Sequence, residues 1–229
     1  MIQKRRGHRH STDDLLTGWY AAENAPGSKR ILDLGAGIGS VGLLALWRSP
    51  GATLTSIEAQ EVSFDLLKRN VEVNKLSDRV RTIHGDLRDF RCDGEGFDLV
   101  TGSPPYFDPK AGIIPENSQK AHARFELRGD VRDYCEAARR AITDDGRFVF
   151  CFPTVQRERA EKAIQSSGFS LLRSRDVIPR AGVAPLFTLF ACSIGRAGTA
   201  IVEPPYIVRD ESGAVTDEHN RARATFGMV

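Results

Sequence analysis

Five consecutive residues, Ser103-Pro104-Pro105-Tyr106-Phe107, carry the sharpest chemical suggestion in the chain. Pro104 drives Ser103 out of helical space, and the paired prolines stiffen the backbone and remove two N–H donors. What remains is a rigid set of acceptors, the Ser103 hydroxyl oxygen and the Pro104 carbonyl, beside an aromatic ring. Such a set suits an amino group whose lone pair is delocalised into an amide or an aromatic ring. Accepting both of its N–H groups shifts the nitrogen towards sp³ and aims the lone pair at an electrophile. Tyr106 is suited to stack on an unstacked base, and Phe107 to add a wall. The expected catalytic group is therefore Ser103, Pro104, Pro105 and Tyr106, with Tyr106 and Phe107 against the substrate. Its chemistry is positioning and electrostatics, with no covalent intermediate. Taken alone, the same segment also describes a proline-stiffened loop with an aromatic anchor.

Residues 31–42 read ILDLGAGIGSVG: an apolar strand, Asp33, then Gly35, Gly37 and Gly39, then a helix. Glycines there permit positive φ and close approach of a ligand to the backbone, at the carboxyl end of a strand and near a helix N-terminus. Two cofactors compete for the turn. Gly37-x-Gly39-x-x-Gly42 matches the dinucleotide fingerprint, with Glu58 available for a ribose. Asp33-x-Gly35-x-Gly37-x-Gly39 is instead the turn of enzymes that use S-adenosylmethionine. That ligand carries an ammonium and a sulfonium and no pyrophosphate, so an acid before the glycines favours it. Glu58 directly follows strand TLTSI and is placed to accept both hydroxyls of a ribose. Asp86 follows strand VRTIH and is placed to accept the amino group of the cofactor adenine, with Leu87 against the ring. Each acid alone is as readily a helix cap or a loop carboxylate; three at successive strand ends point to one crevice. His84 is read as structural.

The elements that must position these residues alternate in the βαβ manner. Strands are expected at 31–34, 53–57, 80–84, 97–102, 147–152, 169–178 and 186–194, and helices at 40–48, 61–75, 130–142 and 154–167. In the second helix Val62, Leu66, Leu67, Val71 and Val73 fall near one stripe. A parallel sheet between helix layers follows. The last two strands, joined through Pro179, Gly182 and Pro185, should form a hairpin with one strand antiparallel. The stretch 103–129 has no clear period and reads as a functional loop. The tail from about 203 is polar and of unassigned structure.

With 229 residues, 41% of them hydrophobic, the chain suits one α/β domain. The formal charge of +2, from 32 basic and 30 acidic residues, does not itself select a nucleic-acid partner. A basic arm with Lys4, Arg5, Arg6 and Arg9 is either a phosphate contact or a solvated end. Arg124, Arg128, Arg132, Arg139 and Arg140 are interleaved with Glu126, Asp130, Asp133 and Glu136, which makes a basic path and a salt-bridged helix face equally tenable. No membrane span and no secretory signal are expected. Cys92, Cys135, Cys151 and Cys192 show no CxxC pair, so neither metal nor disulfide is expected, and a cytoplasmic location fits.

In these motifs the chain resembles the S-adenosylmethionine-dependent amino-methyltransferases that carry (Asn/Asp/Ser)-Pro-Pro-(Tyr/Phe). Over nearly its whole length it resembles the bacterial family that methylates adenine N6 beside the anticodon of valine tRNA. GHRHSTDDLLTGWYA, DLGAGIGSVGL, IEAQ, HGDLRDF, FDLVTGSPPYF, ARFELRGDVRDYCEAARRAITDDGRFVFCFP and IVRDESGAVTDEHNRA fall in that family's order. The resemblance implies a Rossmann-like, seven-stranded, mostly parallel sheet with an antiparallel last strand and helices on both faces. It implies one catalytic domain over 1–229, with an N-terminal segment 1–25, a substrate loop 103–129 and a C-terminal extension 200–229. It further implies that Asp13, Asp33, Glu58 and Asp86 face the cofactor, with Ser103 at its edge and Ser103 to Tyr106 facing the base, and that tRNA is the partner. Family members usually carry asparagine where this chain has Ser103. Serine is shorter and both donates and accepts, and Ser-Pro-Pro-Tyr is more familiar in cytosine-N4 methyltransferases of DNA.

The leading expectation is therefore methylation of a nucleobase amino group, adenine N6 in tRNA. Cytosine N4 in DNA and the amide nitrogen of a protein glutamine are the enzymatic alternatives. A non-catalytic, cofactor-binding module that contacts RNA is the alternative from another class, and a nicotinamide-dependent oxidoreductase is the reading left by the dinucleotide fingerprint.

Overall fold

Short β-branched and aromatic runs separated by amphipathic stretches produce a sheet with helices against both faces. The computed structural model describes residues 1–5, 7, 9–107, 118–195 and 198–228. Its main strands are β1 (Arg30–Leu34), β2 (Thr53–Glu58), β3 (Val80–His84), β4 (Phe97–Gly102), β5 (Ile142–Pro153), β6 (Phe169–Ile178) and β7 (Phe187–Ile194). They lie in the order β3-β2-β1-β4-β5-β7-β6. Pairings from β3 to β5 are parallel, whereas β7 is antiparallel to both β5 and β6. The expected seven strands and the expected antiparallel hairpin are thus present. Two short strands, β8 (Ile201–Val202) and β9 (Tyr206–Ile207), extend the sheet by pairing parallel to β6.

The helices are α1 (Thr12–Asn24), α2 (Ser40–Trp47), α3 (Glu61–Val73), α4 (Ser118–Arg124), α5 (Val131–Ala141), α6 (Arg157–Ser166) and α7 (Asp217–Ala224). Alternate residues of each strand feed two cores. Ile31, Leu99, Val149 and Leu189 pack with Leu16 and Tyr20 of α1, Leu46 of α2 and Leu67 of α3. Leu32, Val100, Phe148 and Phe190 pack with Tyr134, Cys135 and Ala138 of α5 and Ile164 of α6. The reversal of strand order about β1 and β4 opens a crevice at the carboxyl ends of β1, β2 and β4, the usual ligand position in such sheets.

Three helices lie where none was expected. α1 starts at Ser11, whose backbone N–H donates to Asp14 Oδ2 at 3.2 Å, a reciprocal capping arrangement. Gly18 sits in its middle for a packing reason: an added Cβ would lie 2.8 Å from Leu44 Cβ, so glycine lets α1 approach α2 closely. α4 interrupts the stretch 103–129. α7 forms in the polar tail, with His219 and Ala222 buried. At the other expected boundaries, α6 is preceded by a 3-10 turn, Thr154–Gln156, and β5 begins at Ile142 with a register shift against β4.

Candidate active site

Asp33 is the penultimate residue of β1, and Gly35, Gly37 and Gly39 follow with φ of +60°, +58° and +90°. Each takes a backbone that L side chains rarely adopt, but their surroundings differ. A Cβ at Gly35 would lie 2.0 Å from the Tyr134 hydroxyl of α5, so that glycine is required by packing beneath the turn. A Cβ at Gly37 would meet nothing within 4 Å and would enter open space. Gly39 packs towards Leu67 and Leu43, away from the crevice.

That crevice is a cleft of about 670 Å³. It is lined by Asp13, Asp33, Gly35, Gly37, Glu58, Asp86, Leu87 and the whole of Ser103 to Phe107. Every site residue singled out from the sequence therefore borders one cavity, except Gly39, which shapes the turn behind it. Leu87 is buried beside Ile57 and Tyr134 in the core under the cleft.

The acids differ in how they are held. Asp33 is 1% exposed; Oδ1 accepts from the Thr101 hydroxyl at 2.9 Å and Oδ2 from the Gly42 N–H at 2.9 Å. Gly42 makes that second bond possible, because a Cβ there would lie 2.7 Å from Oδ2. Glu58 Oε2 accepts from Gly37 N at 2.7 Å and Oε1 from Gln60 N at 2.6 Å. Each Glu58 oxygen keeps a second lone pair. Asp86 is held by Arg88, whose Nε and Nη2 donate to its two oxygens at 2.9 and 2.6 Å. That pairing keeps the Asp86 carboxyl below its ordinary range.

At the β4 end, Tyr106 Oη donates to Asp13 Oδ2 at 3.0 Å and lies 3.4 Å from Cys151 Sγ. Ser103 Oγ lies 3.4 Å from the same sulfur. Burial pushes the Cys151 thiol up to about 12, so it stays protonated. The Tyr106 ring meets Phe152 edge-on, with centroids 6.1 Å apart, and its carbonyl accepts from Gln156 Nε2 at 2.7 Å. Phe107 is exposed and packs against Phe125. Tyr106 is thus held between α1 and β5, and Ser103 lies against β5.

Several lining residues were not singled out from the sequence. Asp14, on α1, is buried next to Asp13. Gln119 of α4, Ser63 of α3 and Tyr134 of α5 border the same space. The N-terminal arm crosses it: Gly7, Arg9 and His10 line the cleft, and the Asn70 carboxamide holds the Ile2 backbone through both its N–H and its carbonyl. Lys4, Arg5 and Arg9 are exposed, while Arg6 lies outside the described residues. The arginines of α5 and the segment before it are largely engaged. Arg132 pairs with Glu136, Arg140 donates to the Leu87 and Arg88 carbonyls, and Arg128 donates to the Ala59 carbonyl. The side chain of Arg124 lies outside the described ones. His84 stacks on Phe64 at 4.7 Å.

Burial pushes Asp33 up to about 7 and Asp14 up to about 8. A cavity walled by such acids fits a cationic ligand and disfavours a pyrophosphate. An ammonium or sulfonium would offset the burial of the anions, and Gly37 leaves room for it to lie against the backbone. The donor set therefore fits S-adenosylmethionine. The folded chain retains the Asp14 and Asp33 protons after the unfolded chain has released them near its ordinary pKa of about 4. Both groups therefore lower stability progressively as pH rises from about 4 towards their folded values. Asp33→Asn should remove its share. Its melting temperature relative to wild type should rise by about 3 °C or more between pH ~4.5 and ~7.5 in ligand-free protein. Parallel melting curves across that range would refute this role for Asp33.

Residues 16–132 match the family model described as methyltransferase small domain. A protein of a Flavobacteriaceae bacterium, named tRNA1(Val) (adenine(37)-N6)-methyltransferase, is 25% identical over 224 residues, covering 98% of this chain and 93% of its own. One of the same name from Tolumonas auensis is 29% identical over 200 residues, 86% and 81% of the two chains. Among solved structures, a predicted O-methyltransferase of Agrobacterium tumefaciens superposes with a TM-score of 0.73 at 20% identity, over 93% and 96% of the chains. A geranyl diphosphate C-methyltransferase of Streptomyces coelicolor, solved with S-adenosyl-L-homocysteine, gives 0.57 at 12% identity over 78% and 79%. No group of histidine, cysteine or acidic residues among those described is arranged to hold a metal. No described helix is long and apolar enough to cross a membrane.

Proposed function

This chain belongs to the methyltransferase small-domain family, and from that premise we propose that it transfers a methyl group from S-adenosylmethionine to the exocyclic amino nitrogen of a nucleobase, adenine N6 in tRNA. The observation that carries the reading is the shared cleft, in which the Ser103–Tyr106 acceptors stand beside the Gly37 and Glu58 cradle. The names of the relatives support the base and the RNA.

S-adenosylmethionine, when bound, supplies an electrophilic methyl group on a sulfonium. The rest is positioning by the chain. Glu58 offers its remaining lone pairs to the ribose hydroxyls, and Gly37 lets the backbone pass close beneath the ligand while Gly35 keeps the turn packed on Tyr134. Asp86 and Leu87 border the adenine side, and Asp13 and Asp33 add negative charge near a cation. Ser103 Oγ and the Pro104 carbonyl accept the two N–H groups of the target nitrogen and aim its lone pair. Tyr106 stacks on the base, its ring held by Phe152 and its hydroxyl by Asp13. Arg9 at the cleft and the exposed Lys4 and Arg5 of the same arm suit a polyanionic partner.

The test is direct. Incubation with labelled methyl donor and tRNA lacking the modification should yield N6-methyladenosine by mass spectrometry of nucleosides. Formation of N4-methylcytidine would move the target to the base suggested by the serine at position 103. No methylated nucleoside from any unmodified tRNA would sink the proposal.

A further inference from the structure

Gln119 stands out among the cleft residues because its side chain is only half used. It is 2% exposed, and its Oε1 has no hydrogen-bond partner among the described residues. Its Nε2 donates to Ser63 Oγ at 3.2 Å. Gly7 presses against the same oxygen, where an added Cβ would overlap it at 2.0 Å, so the carboxamide is confined. A buried acceptor left unpaired is costly, and native chains rarely keep one without a purpose. Gln119, Ser63 and Glu58 all line the cleft, and Ser63 follows Glu58 closely, at the start of α3. The donors nearest that wall in the reading above are the ribose hydroxyls.

We propose that Gln119 is a cofactor ligand whose Oε1 accepts a hydrogen bond from a ribose hydroxyl of the adenosine moiety, so that α4 closes on the nucleoside opposite Glu58. This rests on the methyl-donor reading and deepens it. It makes α4, part of the loop that carries Ser103 to Phe107, responsive to whether the nucleoside is bound.

Calorimetry with S-adenosylhomocysteine and its 2′-deoxy and 3′-deoxy analogues tests it without any methyl-transfer assay. Gln119→Met keeps the side-chain volume and removes both polar atoms. It should bind S-adenosylhomocysteine about tenfold more weakly than wild type, the scale of one lost hydrogen bond in a buried site. One of the two deoxy analogues should bind wild type and variant alike, because the partner hydroxyl is already missing. Should Gln119→Met fail to melt cooperatively, Gln119→Asn, which withdraws the oxygen on a shorter stem, is subjected to the same comparison. Affinity within about twofold of wild type, or an equal loss with both analogues, overturns the inference while leaving the methyl-donor reading intact. Failure of the wild-type chain to bind S-adenosylhomocysteine at all overturns both.

Discussion

Tyr106→Ala is expected to lower kcat/KM for methyl transfer to RNA by roughly 100-fold while S-adenosylhomocysteine still binds. Two losses combine. The base loses a stacking surface, and base–aromatic stacking is worth about 1–3 kcal/mol. The target nitrogen also loses its alignment, and a misplacement of about 1 Å in such a site costs on the order of 100-fold. Tyr106→Phe separates ring from hydroxyl. It keeps the edge-on contact with Phe152 but abandons Asp13, so a loss of only about three- to tenfold is expected, the scale of one hydrogen bond. If the alanine variant transferred methyl groups at the wild-type rate, Tyr106 would not face the base.

Gly37→Val should act on the other wall. The position has φ +58°, and its missing side chain would project into open cleft. Valine there carries backbone strain of about 1–3 kcal/mol, visible as a lower melting temperature. It also fills the volume assigned to the cofactor. Affinity for S-adenosylhomocysteine should fall by ~100-fold or more, equivalent to ~2.7 kcal/mol. Gly51→Ala is the control for glycine replacement at positive φ, since Gly51 also has open space around it and lies outside the cleft lining. It should lose stability without losing affinity. Binding by the valine variant within about threefold of wild type would remove Gly37 from the cofactor wall.

The parts legible in the sequence were those written in local pattern. Asp33, Glu58 and Asp86 each sit where an apolar run stops, so their place at the strand ends follows from strand length alone. Ser103 is fixed by the strand before it and the prolines after it. What stayed hidden depends on register and on contacts distant in sequence. Cys151 is one apolar residue within RFVFCF. Only the pairing of Gly102 with Phe150 brings the next residue of β5 level with Ser103. Asp13 meets Tyr106 across 93 positions of chain. α1 was obscured by Gly18, a poor helix residue whose reason lies in α2. Gln119 lies in a stretch without periodicity, and its burial is set by Ser63 and the N-terminal arm. Asp86 shows the converse: its position was readable, while its pairing with Arg88 two residues later was not.

The place of β7 has a consequence for how the chain is made. β5 and β6 are consecutive strands, yet β7, which emerges last of the three, lies between them. While a ribosome is still translating the hairpin, the cleft-bearing strands β1 to β4 are complete and β5 is an open edge. That edge carries Phe148, Phe150, Cys151 and Phe152, all fully buried in the finished fold. Nascent protein therefore passes through an interval with an apolar strand edge unpaired, the kind of surface that draws chaperones or other unfinished chains. Translational pausing before residue 194 has left the exit tunnel prolongs the exposure of that edge.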